Sequence, residues 1–120
     1  REALRQEMEA FCTREDAAAF LASADDVPVG FAACALRWEY VEGTEQSPAG
    51  YLEGIFVAAA FRRCGAAAGL LRRCEAWAKE KGCAEFASDC ELENEESRLF
   101  HAACGFSEVC RTINFAKRLA

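Results

Sequence analysis

Leu4, Met8 and Phe11 recur at helical spacing within residues 2–12, which predicts an amphipathic helix at the start of the chain. The apolar runs AAAFLAS (17–23) and VGFAACALRWEY (29–40) predict two strands, and DDVP at 25–28 supplies the turn of a hairpin between them. Residues 41–50, VEGTEQSPAG, are polar and punctuated by Gly, Ser and Pro, hence a loop. The strand signal returns in YLEGIFV (51–57) with Glu53 and Gly54 set inside it. A glycine there predicts a bulge, or the close approach of a ligand or another backbone.

From about residue 65 to 81 the period becomes helical, with Leu70, Leu71, Cys74, Trp77 and Ala78 on one broad face. Gly82 follows a basic last turn and fits the position just past the helix end. AEFASD (84–89) predicts a short strand. NEESRLFHAACGF (94–106) predicts a helix capped by Asn94, with acidic residues in its first turn and Gly105 at its close. EVCRTINFAKRL (108–119) predicts a last strand or hairpin arm. A strand–helix–strand–helix centre after an antiparallel meander implies an α/β (α+β) fold with a mixed sheet covered by helices. The 120 residues suffice for one domain and one core, and no strand precedes the first helix, so an N-terminal piece is expected to be missing.

Charge and cysteine usage narrow the function classes. The net charge of −6 and a pI near 4.9 argue against nucleic acid as the main partner. No apolar run of about 18 residues exists, and the charged first residues carry no signal-peptide pattern. The eight cysteines contain no Cys-x-x-Cys, and His101 is the only histidine, so neither a zinc site nor any other metal is expected. Most cysteines sit among apolar neighbours, as reduced, structural residues of a cytoplasmic protein do. The acidic residues cluster, in Glu39, Glu42, Glu45 and Glu53 and again in Glu85, Asp89, Glu91, Glu93, Glu95 and Glu96, on either side of a basic middle. Solvated faces account for this pattern; so does a bipolar site with a basic turn for an anion and an acidic surface for a cation.

The run IFVAAAFRRCGAAAGLLRRC (55–74) carries the most specific chemistry. An apolar strand ends, two arginines and a glycine follow, and a helix begins, a layout that presents backbone N–H groups to phosphate. It is not a Walker loop, for no Lys follows Gly69, and not a dinucleotide fingerprint, for Ala67 stands at the second glycine.

Arg62-Arg63-Cys64-Gly65-Ala66-Ala67 after Val57 resembles the acetyl-CoA signature of the GNAT acetyltransferase superfamily, Gln/Arg-x-x-Gly-x-Gly/Ala, in which alanine is permitted at the last position. NEESRLFHAACGF resembles the second motif of that superfamily, an Asn followed by a helix ending in Gly-Phe. RWEYVEGTEQSPAGYLEGIFV (37–57), GCAEFASD (82–89) and CGFSEVCRTINFAKRL closely resemble the aminoglycoside 6′-N-acetyltransferases. The resemblance spans roughly residues 20 to 118, with Ala59 where many relatives have proline and His101 where many have a tyrosine acid. It implies a GNAT fold, with a mostly antiparallel mixed sheet, a splayed strand pair and helices on both faces. It also implies acetyl-CoA as co-substrate, an aminoglycoside or other polycationic amine as acceptor, and a homodimer formed through the C-terminal strands.

The resemblance assigns roles residue by residue. Backbone amides from Arg63 through Ala68, including Cys64, Gly65, Ala66 and Ala67, would cradle the pyrophosphate, with Arg62 and Arg63 adding charge-assisted contacts. The strand end at Phe56 and Val57 would hold the pantetheine arm and polarise the thioester carbonyl, and Asn94 would bind the arm or simply cap its helix. Asp89 is the first candidate for the base that deprotonates the attacking amine, and Glu53 the second. His101 would return a proton to the leaving thiolate, or serve only in packing. Trp38, Tyr40, Glu42, Glu53, Asp89 and Glu91 would receive the cationic sugar. The cofactor turn alone leaves a polyamine, a small amine metabolite or a protein N-terminus open as acceptor, and also a degenerate fold that only binds.

Overall fold

The computed structural model describes residues 6–62 and 65–120. They form two units, the first running to Asp89 and the second spanning Cys90–Ala120. The first unit is a five-stranded sheet in sequential order, β1 (Gln6–Thr13), β2 (Ala17–Ala24), β3 (Val27–Arg37), β4 (Ala49–Val57) and β5 (Phe86–Ala87), with the helix α1 (Ala66–Glu80) between the last two. All pairings are antiparallel except β4 with β5.

The hairpin β2–β3 closes through Asp25 and Asp26, both at positive φ (52° and 66°), between the paired Ala24 and Val27. A two-residue turn needs that conformation at both positions to match the strand twist, and Asp tolerates it better than most side chains. Along β2, half-buried and buried residues alternate strictly, so Ala18, Phe20, Ala22 and Ala24 face one way. They join Val29, Ala32 and Cys34 of β3 and Leu52 and Val57 of β4 in the core. Most of these are small, which lets α1 lie close and insert Leu70, Leu71, Cys74, Trp77 and Ala78. Leu70 and Leu71 are almost wholly buried, each adding about 1.5–3 kcal/mol. The helical face predicted for residues 65–81 is thus the buried one.

Leu52 and Val57 lie five residues apart, yet both are buried, which a two-residue alternation forbids. The register explains it: Cys34 pairs with Leu52 and Ala33 with Gly54, so Glu53 is an inserted residue. This is the bulge that Gly54 predicted, one position earlier. β4 is splayed from β5, pairing only at Gly50 with Phe86 and Tyr51 with Ala87. Its C-terminal half has no ladder partner on that side among the described residues.

α1 ends in a Schellman motif: Cys83 N–H bonds the Ala78 carbonyl and Gly82 N–H that of Lys79, both at 3.0 Å, with Gly82 at φ 94°. In the second unit α2 (Glu95–Ala103) begins with Asn94, whose Oδ1 accepts from Ser97 N–H at 3.0 Å. It ends in the same motif, Phe106 N–H to His101 carbonyl at 3.0 Å and Gly105 N–H to Ala102 carbonyl at 3.1 Å.

Two predicted elements differ. The described part of 2–12 is a strand, not a helix. An isolated helix that short is marginal, whereas pairing with β2 satisfies its backbone groups, and one residue inserted at Phe11 interrupts the alternation that would have announced a strand. Leu4 lies outside the described residues. Residues 108–119 form no strand: α2 is the only regular element of their unit among the described residues, so the arm has nothing to pair with. β3 also stops at Arg37, leaving Trp38 and Tyr40 in the following loop.

Candidate functional site

The end of β4 runs into the turn that starts α1. Ala58 N–H bonds the Val29 carbonyl at 2.7 Å and the Arg62 Nε–H donates to the Val57 carbonyl at 2.9 Å, which fixes the strand end. Val57 is buried. Phe56 is half exposed, its ring 6.3 Å from that of Phe31 and 6.0 Å from the Arg62 guanidinium. Arg62 therefore braces the strand end, while the residue as a whole stays exposed. Arg63 and Cys64 lie outside the described residues.

Gly65 caps α1 at φ 85°, ψ 0°, with no side-chain cap and no acidic residue in the first turn. The first bond of this helix is Gly69 N–H to the Gly65 carbonyl at 2.9 Å, so the amides of Ala66, Ala67 and Ala68 leave the helix end with no acceptor in their own helix. A 15-residue helix adds a positive field there. These residues fit a pyrophosphate, and the left-handed φ rather than crowding explains the glycine: a Cβ at Gly65 meets nothing within 4 Å.

Glu53 and Asp89 sit in one side-chain cluster. The Glu53 carboxylate accepts three contacts from Arg37, Nε–H at 3.1 Å and Nη2–H at 2.9 and 3.1 Å. The same guanidinium lies 3.8 Å from the centre of the Tyr51 ring. The Tyr51 hydroxyl donates to Asp89 Oδ2. Burial, and then the Asp89 hydrogen bond and charge, push the Tyr51 phenol up to about 12, so it remains a donor. Arg37 and Glu53 are more than a third exposed, a setting in which an ion pair contributes about 0–1 kcal/mol, so the pair orients more than it stabilises. Arg37 and Tyr51 escaped the sequence-based search. One reads as a strand-end charge and the other as a core aromatic; only the register, Ala35 with Tyr51 and Arg37 with Ala49, puts them beside Glu53.

The loop after β3 is held in place. Glu85 accepts from Glu45 N–H at 2.8 and 3.1 Å and from Gln46 N–H at 3.0 Å. The Ser47 hydroxyl donates to the Trp38 carbonyl at 2.6 Å, and that of Thr44 to the Val41 carbonyl at 2.7 Å. Trp38 and Tyr40 are 63% and 72% exposed on this loop, so neither is a core aromatic, and Glu42 is exposed with them. Glu85, counted by sequence among the cation-attracting carboxylates, is a loop anchor.

In the second unit Glu91 is exposed and Asn94 caps α2. His101 Nδ1–H donates to the Ser97 carbonyl at 2.7 Å. Its ring is 5.0 Å from that of Phe106, the apolar contact that accompanies a Schellman motif. Six cysteines among the described side chains form no disulfide, with Cys34, Cys74 and Cys83 buried; burial raises the Cys83 thiol above its ordinary range. Among the described residues no cluster of three His, Cys, Asp or Glu side chains fits a metal, and no helix is long and apolar enough to cross a membrane.

The model of the acetyltransferase (GNAT) family matches residues 1–106. Aminoglycoside N(6′)-acetyltransferase type 1 of Acinetobacter haemolyticus is 42% identical over 114 residues, spanning 95% of this chain and 79% of that protein. The solved structure of aminoglycoside N-acetyltransferase AAC(6′)-Iy in complex with CoA is similar at a TM-score of 0.83 and 44% identity, covering 87% of this chain and 78% of that one. The same enzyme in complex with the bisubstrate analogue CoA-S-monomethyl-acetylneamine gives 0.84 and 43%, covering 88% and 72%.

Proposed function

The chain belongs to the acetyltransferase (GNAT) family, and on that premise we propose that it transfers the acetyl group of acetyl-CoA to the 6′-amino group of aminoglycoside antibiotics, conferring resistance. One observation carries this: a single strand, β4, bears Glu53 and Tyr51, the latter bonded to Asp89, and the next α-helix in the chain opens with amides unpaired within it. The first half suits a cation and the second an anion.

Acetyl-CoA supplies the thioester whose acetyl group is transferred. The amides of Gly65 through Ala68, with Arg62 and Arg63, bind its pyrophosphate, and the open edge of β4 at Phe56 and Val57 holds its arm. Preorganised N–H groups at that edge stabilise the charge that develops on the carbonyl oxygen. Both oxygens of Glu53 are engaged by Arg37. Asp89 is exposed and accepts from a neutral phenol, so it serves as the base for the amine, directly or through one water. Asn94 and His101 take their roles from the second family motif, the first on the cofactor arm and the second as proton donor to the leaving thiolate. Trp38, Tyr40, Glu42 and Glu91 receive the sugar and its ammonium groups.

In this reading residues 1–120 belong to a single acetyltransferase domain, and the protein works in the cytoplasm, without nucleic acid, membrane or metal, and as a homodimer. Val109, Ile113, Phe115 and Leu119, 58–90% exposed on an arm with no strand partner, support the dimer. Acetyl-CoA turnover with kanamycin and with spermidine tests the acceptor: turnover of the first is expected, and no turnover of any 6′-amino aminoglycoside would sink the proposal.

A further inference from the structure

Arg37, Tyr51 and Glu53 share one face of the sheet. Residues 51 and 53 alternate along β4, and the register brings Arg37 of β3 alongside them. The guanidinium is held edge-on by both oxygens of Glu53 and lies against the Tyr51 ring, 3.8 Å from its centre. A planar group clamped in this way restricts the tilt of the ring beside it. The phenol at the far end of that ring holds Oδ2 of Asp89, an exposed carboxylate two residues beyond β5. The charged groups around the phenol are Arg37, Glu53 and Asp89, with Glu39 beyond Arg37. Each link is a directional contact, and together they connect Glu53 to Asp89, the carboxylate proposed as the base.

We propose that Tyr51 is a positioning residue for acyl transfer, holding Oδ2 of Asp89 so that Oδ1 is presented to the acceptor amine, with Arg37 and Glu53 fixing the ring that does so. The inference rests on the assignment of Asp89 as the base. Removing the hydroxyl releases the carboxylate and leaves the ring against Arg37, so the loss falls on the acyl-transfer step and not on the fold or on acetyl-CoA binding.

The experiment measures kcat and the KM of each substrate, with kanamycin and acetyl-CoA, for the full chain and for Tyr51→Phe, Arg37→Lys, Asp89→Asn and the double variant Tyr51→Phe/Asp89→Asn. Thermal unfolding of each variant is followed alongside. Tyr51→Phe keeps the ring under Arg37 and is expected to fold. Its kcat is expected to fall about tenfold while the KM for acetyl-CoA and the unfolding temperature stay at the parent's values. Arg37→Lys, which keeps the charge but not the planar fork, lowers kcat by less, with the KM for acetyl-CoA again unmoved. The double variant is no slower than Asp89→Asn alone, since the phenol then has nothing to hold. If Asp89→Asn turns over like the parent, the base assignment falls and this inference with it. If Asp89→Asn is slow but Tyr51→Phe matches the parent in kcat and KM, only the inference is overturned. A slow Tyr51→Phe with a raised KM for acetyl-CoA or a lowered unfolding temperature overturns it as well, because the loss is then structural.

Discussion

Replacing Gly65 by alanine isolates the conformation of the phosphate turn from every contact it makes. Gly65 sits at φ 85°, and a Cβ built there touches nothing within 4 Å, so the substitution introduces conformational cost without a clash. The left-handed region costs an L-residue about 1–2 kcal/mol. Reduced freedom of the unfolded chain returns about 0.4–1 kcal/mol of that, leaving a net loss of about 1 kcal/mol. For 120 residues, an unfolding entropy of about 2.1 cal/mol/K per residue converts this to a fall in Tm of about 4 °C. The larger effect is on ligand. If the turn relaxes toward negative φ, the amides of Ala66, Ala67 and Ala68 no longer converge on one point. In the parent, CoA at 100 times its Kd adds about 2.7 kcal/mol, a rise of roughly 10 °C, and Gly65→Ala should lose most of that rise. Gly65→Asn, which tolerates positive φ, should recover much of both losses. Differential scanning fluorimetry with and without CoA reads all three proteins. An alanine variant with the parent's Tm and the parent's CoA shift would refute the assignment of that turn.

Other features make equally direct predictions. At Gly50 an added Cβ would lie 2.5 Å from the Phe86 ring and 2.7 Å from the Ala78 Cβ; Gly50→Ala should therefore cost about 1–3 kcal/mol in denaturant unfolding, and an unchanged midpoint would contradict the packing of α1 and β5 over β4. Glu85→Ala removes the acceptor of two loop amides; amide exchange at Glu45 and Gln46 should quicken and the KM for the acceptor rise several-fold, with the KM for acetyl-CoA unmoved. The Tyr51 phenol is raised from 10 to about 12, so its protonated form favours the fold. That contribution is complete below about pH 10 and is lost as pH climbs toward 12. The stability of the parent relative to Tyr51→Phe should accordingly fall over that window, and a difference constant to pH 11.5 would count against it.

The elements legible in the sequence are those specified by nearby residues. α1 is written in a 3.6-residue period ending in Gly82, α2 in Asn94 and Gly105, and the hairpin in two consecutive aspartates. The phosphate turn is equally local, a strand end, a glycine and a helix start. Where a long-range partner decides, the pattern misleads. Residues 6–12 look helical until the edge of β2 offers them hydrogen bonds, and the alternation in 108–119 needs a neighbour that its own unit does not supply. The carboxylates were visible as charges, but the difference between them was not. Glu53 has Arg37, Asp89 has Tyr51 and Glu85 has two backbone amides, and each partner lies 16 to 40 positions away.

The inserted residue in β4 sets a reading frame for everything after it. Because Glu53 has no opposite number on β3, the residues beyond it are displaced by one position relative to those before. Deleting Glu53 would therefore join Leu52 to Gly54 in an unbroken alternation, with Val57 still in the core and Phe56 still outside it. What a deletion removes is the bulge itself and, with it, the carboxylate that holds Arg37. The insertion is thus a device for placing one extra outward side chain on the strand without turning over the residues that follow.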